Sequence, residues 1–201
     1  MSWKFLIFLF LFALPAVSQT DSQWVLQQST LSYHMSHPLH EVDGVSHAAK
    51  GKGVCHAGQC DFLIAAPVKS FDSGDSNRDL HMLQATRGAQ FPMVIVRTHL
   101  PETATTTSTT IYADLEIQFA GQTAHYSHVP FQRVTQGSDV RISGTIPATC
   151  VDFKIDRPSF LGVQNAVHSS GSSRAFHCLL WRIGAERPGR SRAAIAVHQQ
   201  L

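Results

Sequence analysis

Residues 111–119 alternate without a break: Ile111, Ala113, Leu115, Ile117 and Phe119 are apolar, while Tyr112, Asp114, Glu116 and Gln118 carry polar groups. Successive side chains of an extended backbone point to opposite faces, so this period of two demands a strand with one dry and one wet face. A helix would scatter those apolar residues around its axis. The same pattern recurs in Val140, Ile142, Gly144 and Ile146, in Phe62, Ile64, Ala66 and Val68, and in Leu31, Tyr33 and Met35. Turn signals punctuate the runs at Asp43-Gly44, Ala57-Gly58, Gly121-Gln122 and Gln136-Gly137-Ser138-Asp139, and residues 103–110 read as a Thr-rich loop. Many half-buried strands at short spacing predict an antiparallel barrel or sandwich.

One helix interrupts the strands. Phe71-Asp72-Ser73-Gly74 reads as a strand end and Gly turn. Ser76 is placed to cap a helix with Asp79 three residues on, Gly88 to stop it, and Pro92 to open the next strand. The carboxylates of Asp72 and Asp75 suit turns, and that of Asp79 a helix start, so Arg78 and Asp79 are expected to tie the helix to the sheet by ion pairs.

The chain opens with Lys4, a ten-residue apolar run over 5–14, Pro15 and the small-x-small Ala16-Val17-Ser18. The run is too short for a membrane span of roughly 20 apolar residues and has the layout of a signal peptide. Residues 1–18 are therefore expected to be removed, giving a periplasmic or secreted protein with no permanent membrane anchor. Residues 1–163 hold 11 Lys+Arg against 13 Asp+Glu, so the body lacks the basic bias of a nucleic-acid binder. Export permits disulfides, and Cys55 and Cys60 bracket a loop of hairpin length that they can bridge. Haem attachment would need Cys-x-x-Cys-His, which the chain lacks.

Twelve His residues invite a metal reading. His34, His37 and His40 are three apart, with His47 nearby, but on a strand such spacing sends neighbours to opposite faces. Asp72, Asp75, Asp79 and His81 form a second polar group. No nucleophile elbow, metalloprotease helix or phosphate loop accompanies either, and no cofactor motif is present. Catalysis with His81 or a neighbour as base, and metal or haem handling by the His34–His47 region, stand as alternatives to a non-catalytic binder.

The ordered set Phe71-Asp72-Ser73-Gly74, Arg78-Asp79, His81-Met82 and Phe91-Pro92 resembles the pattern of the YceI-like family of lipid-binding barrel proteins. Ser29-x-Leu31-x-Tyr33-x-Met35-x-His37 is similar to that family's first strand, with Gln28 where the family usually has His. Ala113-Asp114-Leu115-x-Ile117 with Gly121-Gln122-Thr123, and Val151-Asp152-Phe153-Lys154-Ile155 with Pro158-Ser159, resemble later segments. The resemblance covers about residues 24–163. It implies a domain over 19–163 forming an eight-stranded antiparallel, lipocalin-like barrel with a short helical insertion, whose apolar channel holds an isoprenoid or quinone-like lipid. The residues that would line such a channel are Trp24, Leu31, Tyr33, Phe62, Ile64, Phe71, Phe91, Leu115, Ile117, Phe119 and Ile142. After Val163 the resemblance ends. Residues 164–201 are Ser-, Gly- and Arg-rich, a composition of flexible segments, and read as a divergent tail, leaving the closing strand in doubt. The run from Ala175 to Trp181 is the one candidate there for a substitute strand.

Overall fold

A computed structural model describes residues 21–37, 40–137, 139–156, 181–184 and 195–200. Residues 1–20, where a signal peptide was expected, residues 157–163 and most of the tail, including Ala175–Leu180, lie outside the described residues, as do the side chains of residues 35–41, 136, 181–184 and 195–200. Eleven strands form one antiparallel sheet: β1 (Ser22–Gln28), β2 (Thr30–His37), β3 (His40–Ser46), β4 (Lys50–His56), β5 (Gln59–Pro67), β6 (Met93–Pro101), β7 (Thr110–Phe119), β8 (Gln122–Gln136), β9 (Asp139–Ile146), β10 (Trp181–Gly184) and β11 (Ile195–Gln200). Among the described residues two α-helices interrupt it, α1 (Ser76–Ala85) and α2 (Glu102–Thr106).

Several strands are halves of longer ones. β1 pairs with β4 and β2 with β3, so the chain on either side of Ser29 lies against the chain on either side of residues 47–49. From β4 the ladder runs through β5, β6, β7 and β8 to β9. β9 is then joined to β1 through β11 and to β2 through β10. Counting the halves together gives eight strand positions among the described residues, as the family resemblance implies. At the eighth, ten residues of the segment read as a divergent tail pair with β9 on one side and with β2 and β1 on the other, at the place of the closing strand that the sequence left in doubt.

The alternation of β7 is realised as read: Ile111, Ala113, Leu115, Ile117 and Phe119 are all buried and Tyr112 and Asp114 exposed. The inward faces of the other strands meet these residues in one core. Each fully buried Leu, Ile, Val or Phe contributes about 1.5–3 kcal/mol of transfer free energy, so this inward stripe outweighs any local propensity. Two hairpins turn tightly on paired left-handed residues, Ala57-Gly58 (φ 51° and 78°) and Ala120-Gly121 (φ 50° and 74°), the backbone that matches strand twist.

Five local expectations are corrected. Asp43-Gly44 is no turn: Gly44 lies within β3, where a Cβ would stand 2.2 Å from the Tyr33 ring that covers it. The cap of α1 is Asp75, whose carboxylate accepts from the backbone N–H of Asn77 and Arg78; Asp79 instead accepts from Ser73 N and Oγ. Arg78 likewise donates to the Ser73 carbonyl at 2.8 Å, so both side chains brace the preceding loop, not the sheet. The helix ends with Arg87, not Gly88, in the left-handed position (φ 54°), while Gly88 N–H closes the turn onto the Leu83 carbonyl. Residues 103–110 are not all loop, for α2 occupies the first part and three Thr hydroxyls bond back to carbonyls of Glu102 and Thr103.

Candidate ligand cavity

The inward faces do not fill the barrel evenly. Along β7, Ile111, Ala113 and Leu115 line a cavity, whereas Ile117 and Phe119 pack into solid core. Along β5 the same change falls between Ile64, which lines it, and Ala66, which does not; along β6 it falls between Val96 and Val94. The void therefore occupies the half of the barrel next to the β4–β5 hairpin. Its volume is about 100 Å³. Apolar voids of about 150 Å³ stay dry and admit a benzene-sized guest, so this space suits a compact hydrocarbon group.

The β4–β5 hairpin stands at this end of the barrel. Cys55 and Cys60 stand directly opposite each other in the β4–β5 register and form a disulfide, buried beside Trp24 and Val140. Trp24 sits 6.3 Å from Phe62, ring centre to ring centre. The side wall is less regular. β6 and β7 pair only from Ile95↔Gln118 to Thr98↔Leu115, and on the other side of β7 the ladder to β8 shifts register between Ala113↔Val129 and Leu115↔Tyr126. There Thr98 Oγ1 donates to the Asp114 carbonyl at 2.8 Å, and the Asp114 carboxylate accepts from His128 N–H at 2.7 Å. α2 lies between the diverging strands and presents buried Thr105, whose hydroxyl donates to the Glu102 carbonyl at 2.7 Å.

Of the eleven channel residues expected from the sequence, Trp24, Phe62, Ile64, Leu115 and Ile142 line the cavity. Leu31, Tyr33, Phe71, Ile117 and Phe119 are buried in the filled half, with Tyr33 against Phe71 at 5.8 Å and Phe119 edge-on to Phe153 at 5.4 Å. Phe91 is outside: it is 37% exposed, its ring lies on Gly121, and the Arg87 guanidinium rests over it at 5.2 Å. The lining adds Val96, Thr98, Leu100, Thr105, Ile111, Ala113, Phe131 and Val140. Ile111, Ala113 and Val140 carried the signal of inward alternation. Thr98 shares the inward face of β6 with Val94, Val96 and Leu100 but is polar and gave no apolar signal, and Thr105 reaches the interior only through α2.

The polar groups weighed for other chemistry lie elsewhere. His34 pairs across strands with Asp43 at 2.8 Å, and His47 meets Thr30 Oγ1 at 3.0 Å. His99 and Asp61 pair at 2.7 Å on the outer face, and His81 is exposed on α1. Among the described residues no three His, Cys, Asp or Glu side chains converge as a metal site. Burial, and then the nearby Asp79 carboxylate, raise the Tyr33 phenol above its ordinary 10; the Tyr126 phenol is raised by burial and by its 2.8 Å bond to Asp152. Neither phenol lines the cavity. No described helix is long and apolar enough to cross a membrane.

No protein-family profile matches the chain, and no curated protein does. Solved structures do. BcnA of Burkholderia cenocepacia superposes with a TM-score of 0.57 over 84% of this chain and 95% of its own, at 12% identity. A polyisoprenoid-binding domain from Saccharophagus degradans, implicated in plant cell wall breakdown, superposes with a TM-score of 0.56 over 89% of this chain and 98% of its own, at 11% identity. The chain shares their fold. The lipocalin-like barrel implied by the YceI-like resemblance is thus present as architecture, although almost none of its sequence is held in common with these neighbours.

Proposed function

We propose that this protein is an exported, non-catalytic YceI-like barrel protein that holds an isoprenoid-type lipid in its interior. The observation that carries the reading is the cavity itself. It is a void inside the barrel, walled by Phe, Ile, Leu, Val and Trp side chains, and it adjoins none of the His and Asp pairs that catalysis or metal binding would use. Enclosing a five-carbon isoprene unit there is worth about 4 kcal/mol at 0.8 kcal/mol per methylene-sized group, before association entropy is subtracted. Ligand sites of this kind are mostly apolar, and the surface this wall presents is apolar throughout. The likeness of fold to a polyisoprenoid-binding domain supports the same class of ligand. Export rests on the leader over residues 1–18.

The test is organic extraction and mass spectrometry of protein purified from its native host. A co-purifying polyprenyl species, on a chain that begins near Gln19, is the expected result. Stoichiometric metal without lipid, or a retained leader, would overturn the binding or the export half respectively.

A further inference from the structure

A ligand inside the barrel has to cross its wall, and the wall has a weak seam. At the level of the void β5 is paired on both sides, Phe62 standing between Gly53 of β4 and Thr98 of β6. β8 is likewise held at Phe131 by Ile111 and Gly144, β9 at Ile142 by Arg133 and Ile195, and β1 at Trp24 by Gly53 and Gln199. Between β6 and β7 the ladder stops at Thr98↔Leu115. Among the described residues, Leu100, Ile111 and Ala113 therefore line the void with no strand partner across this seam. On the outside, a groove along Arg97, Glu116 and His125 reaches the same Thr98 and Leu115, so a single layer of side chains separates inside from outside there.

α2 closes what the ladder leaves open. Three of its five residues are Thr, a weak helix former, and Thr105 alone is buried, with Ala104 packed in part against the core. The helix is moored by the Glu102 N–H on the Gly58 carbonyl at 2.9 Å and by Ser22 Oγ on the Glu102 carboxylate at 3.3 Å. The other ways in cost more. The packed half would have to part Phe119 from Phe153 and Tyr33 from Phe71. Trp24 and Val140 are clustered with the cross-linked hairpin, and the paired seams can open only by breaking ladder hydrogen bonds. Local opening draws on the segment with the fewest buried contacts, which here is α2. We propose that α2 is the door of the cavity: it unwinds from the seam, an isoprenoid passes between Leu100 and Ile111, and the helix re-forms behind it. Such loading rests on the lipid-binding reading and gives that site its route of entry.

The test uses the mature chain and the acyclic isoprenoid hydrocarbon myrcene. Association and dissociation rates are read from exchange of the Ile64 and Ile142 methyl resonances between free and bound forms. Ala104→Gly weakens α2 at a residue outside the lining. It should speed both rates about fivefold and leave Kd unchanged, because the closed free and closed bound forms lose the same helix stability. Thr103→Ala, at an exposed position, strengthens the helix and should slow both rates about twofold. Gln84→Gly puts the same kind of backbone change into α1 and should alter neither rate. Rates unmoved by the α2 variants overturn the proposal. Equal acceleration by Gln84→Gly overturns it in favour of breathing of the whole barrel, and a changed Kd at constant association rate makes α2 part of the binding wall and not its door. Thr103→Ala carries the test alone if Ala104→Gly folds poorly. If myrcene moves neither methyl in the natural protein, the lipid-binding reading falls, and the door with it.

Discussion

Ala113→Leu separates a ligand cavity from a loosely packed core. Ala113 is 2% exposed on β7, between Ile111 and Leu115, and faces the void. An empty space of about 100 Å³ costs about 2.4 kcal/mol at 24 cal/mol per Å³. Leu adds three methylene-sized groups, worth about 2.4 kcal/mol of burial if they enter that space. The two routes agree, and some overpacking strain offsets part of the gain. We expect the ligand-free variant to be more stable by about 1–2 kcal/mol, with a Tm rise of roughly 2–8 °C for a domain of this size. Ligand at a hundredfold its Kd should add about 2.7 kcal/mol to the natural protein and almost nothing to the variant. Thermal unfolding with and without a short isoprenoid reads both effects. An unchanged response to ligand would show that the lipid sits elsewhere, and a variant destabilised by more than 1 kcal/mol would show that no usable void faces Ala113.

Three further outcomes follow from particular contacts. Replacing Cys55 and Cys60 together by Ala should lower stability by about 2 kcal/mol, the chain-entropy value for so short a loop, and urea unfolding beside intact mass under reduction measures it. Phe153→Ala removes a fully buried ring that meets Phe119 at 5.4 Å, so it should cost about 3–5 kcal/mol, read by urea unfolding, and leave the cavity beside Ala113 unchanged. The Asp75 carboxylate is held below its ordinary 3.8 first by the Arg78 backbone N–H and then by that of Asn77. A group with a depressed folded pKa stabilises above its unfolded value and loses that contribution as pH falls through the folded one, so the Asn77 and Arg78 amides should exchange faster below about pH 4, and Asp75→Asn should flatten the dependence.

Much of the barrel was legible because period-two alternation fixes which face is dry without reference to partners. β7, β9 and the inward faces of β2 and β5 were readable for that reason. So was the disulfide, since hairpin spacing alone brings Cys55 and Cys60 together. What escaped depends on a distant partner. Gly44 looked like a turn residue beside Asp43, yet its role is set by the Tyr33 ring across the ladder. α2 escaped because Thr is a poor helix former; burial of Thr105 against the cavity and hydroxyl bonds to carbonyls hold it in place.

The cavity could not be read at all from pattern, because a filled core and a lined void call for the same residue types. The difference is made by what stands across the barrel. In one half Phe153, from the loop after β9, reaches Phe119, and Tyr33 reaches Phe71; the interior there is closed by aromatic pairs brought from far apart in sequence. In the other half Ala113 stands on the wall where a larger side chain would fill the space, and the wall between β6 and β7 is taken over by a short helix instead of a ladder. The packed half supplies cooperative burial that the void cannot, and the change from one to the other falls where Leu115 gives way to Ile117 along β7.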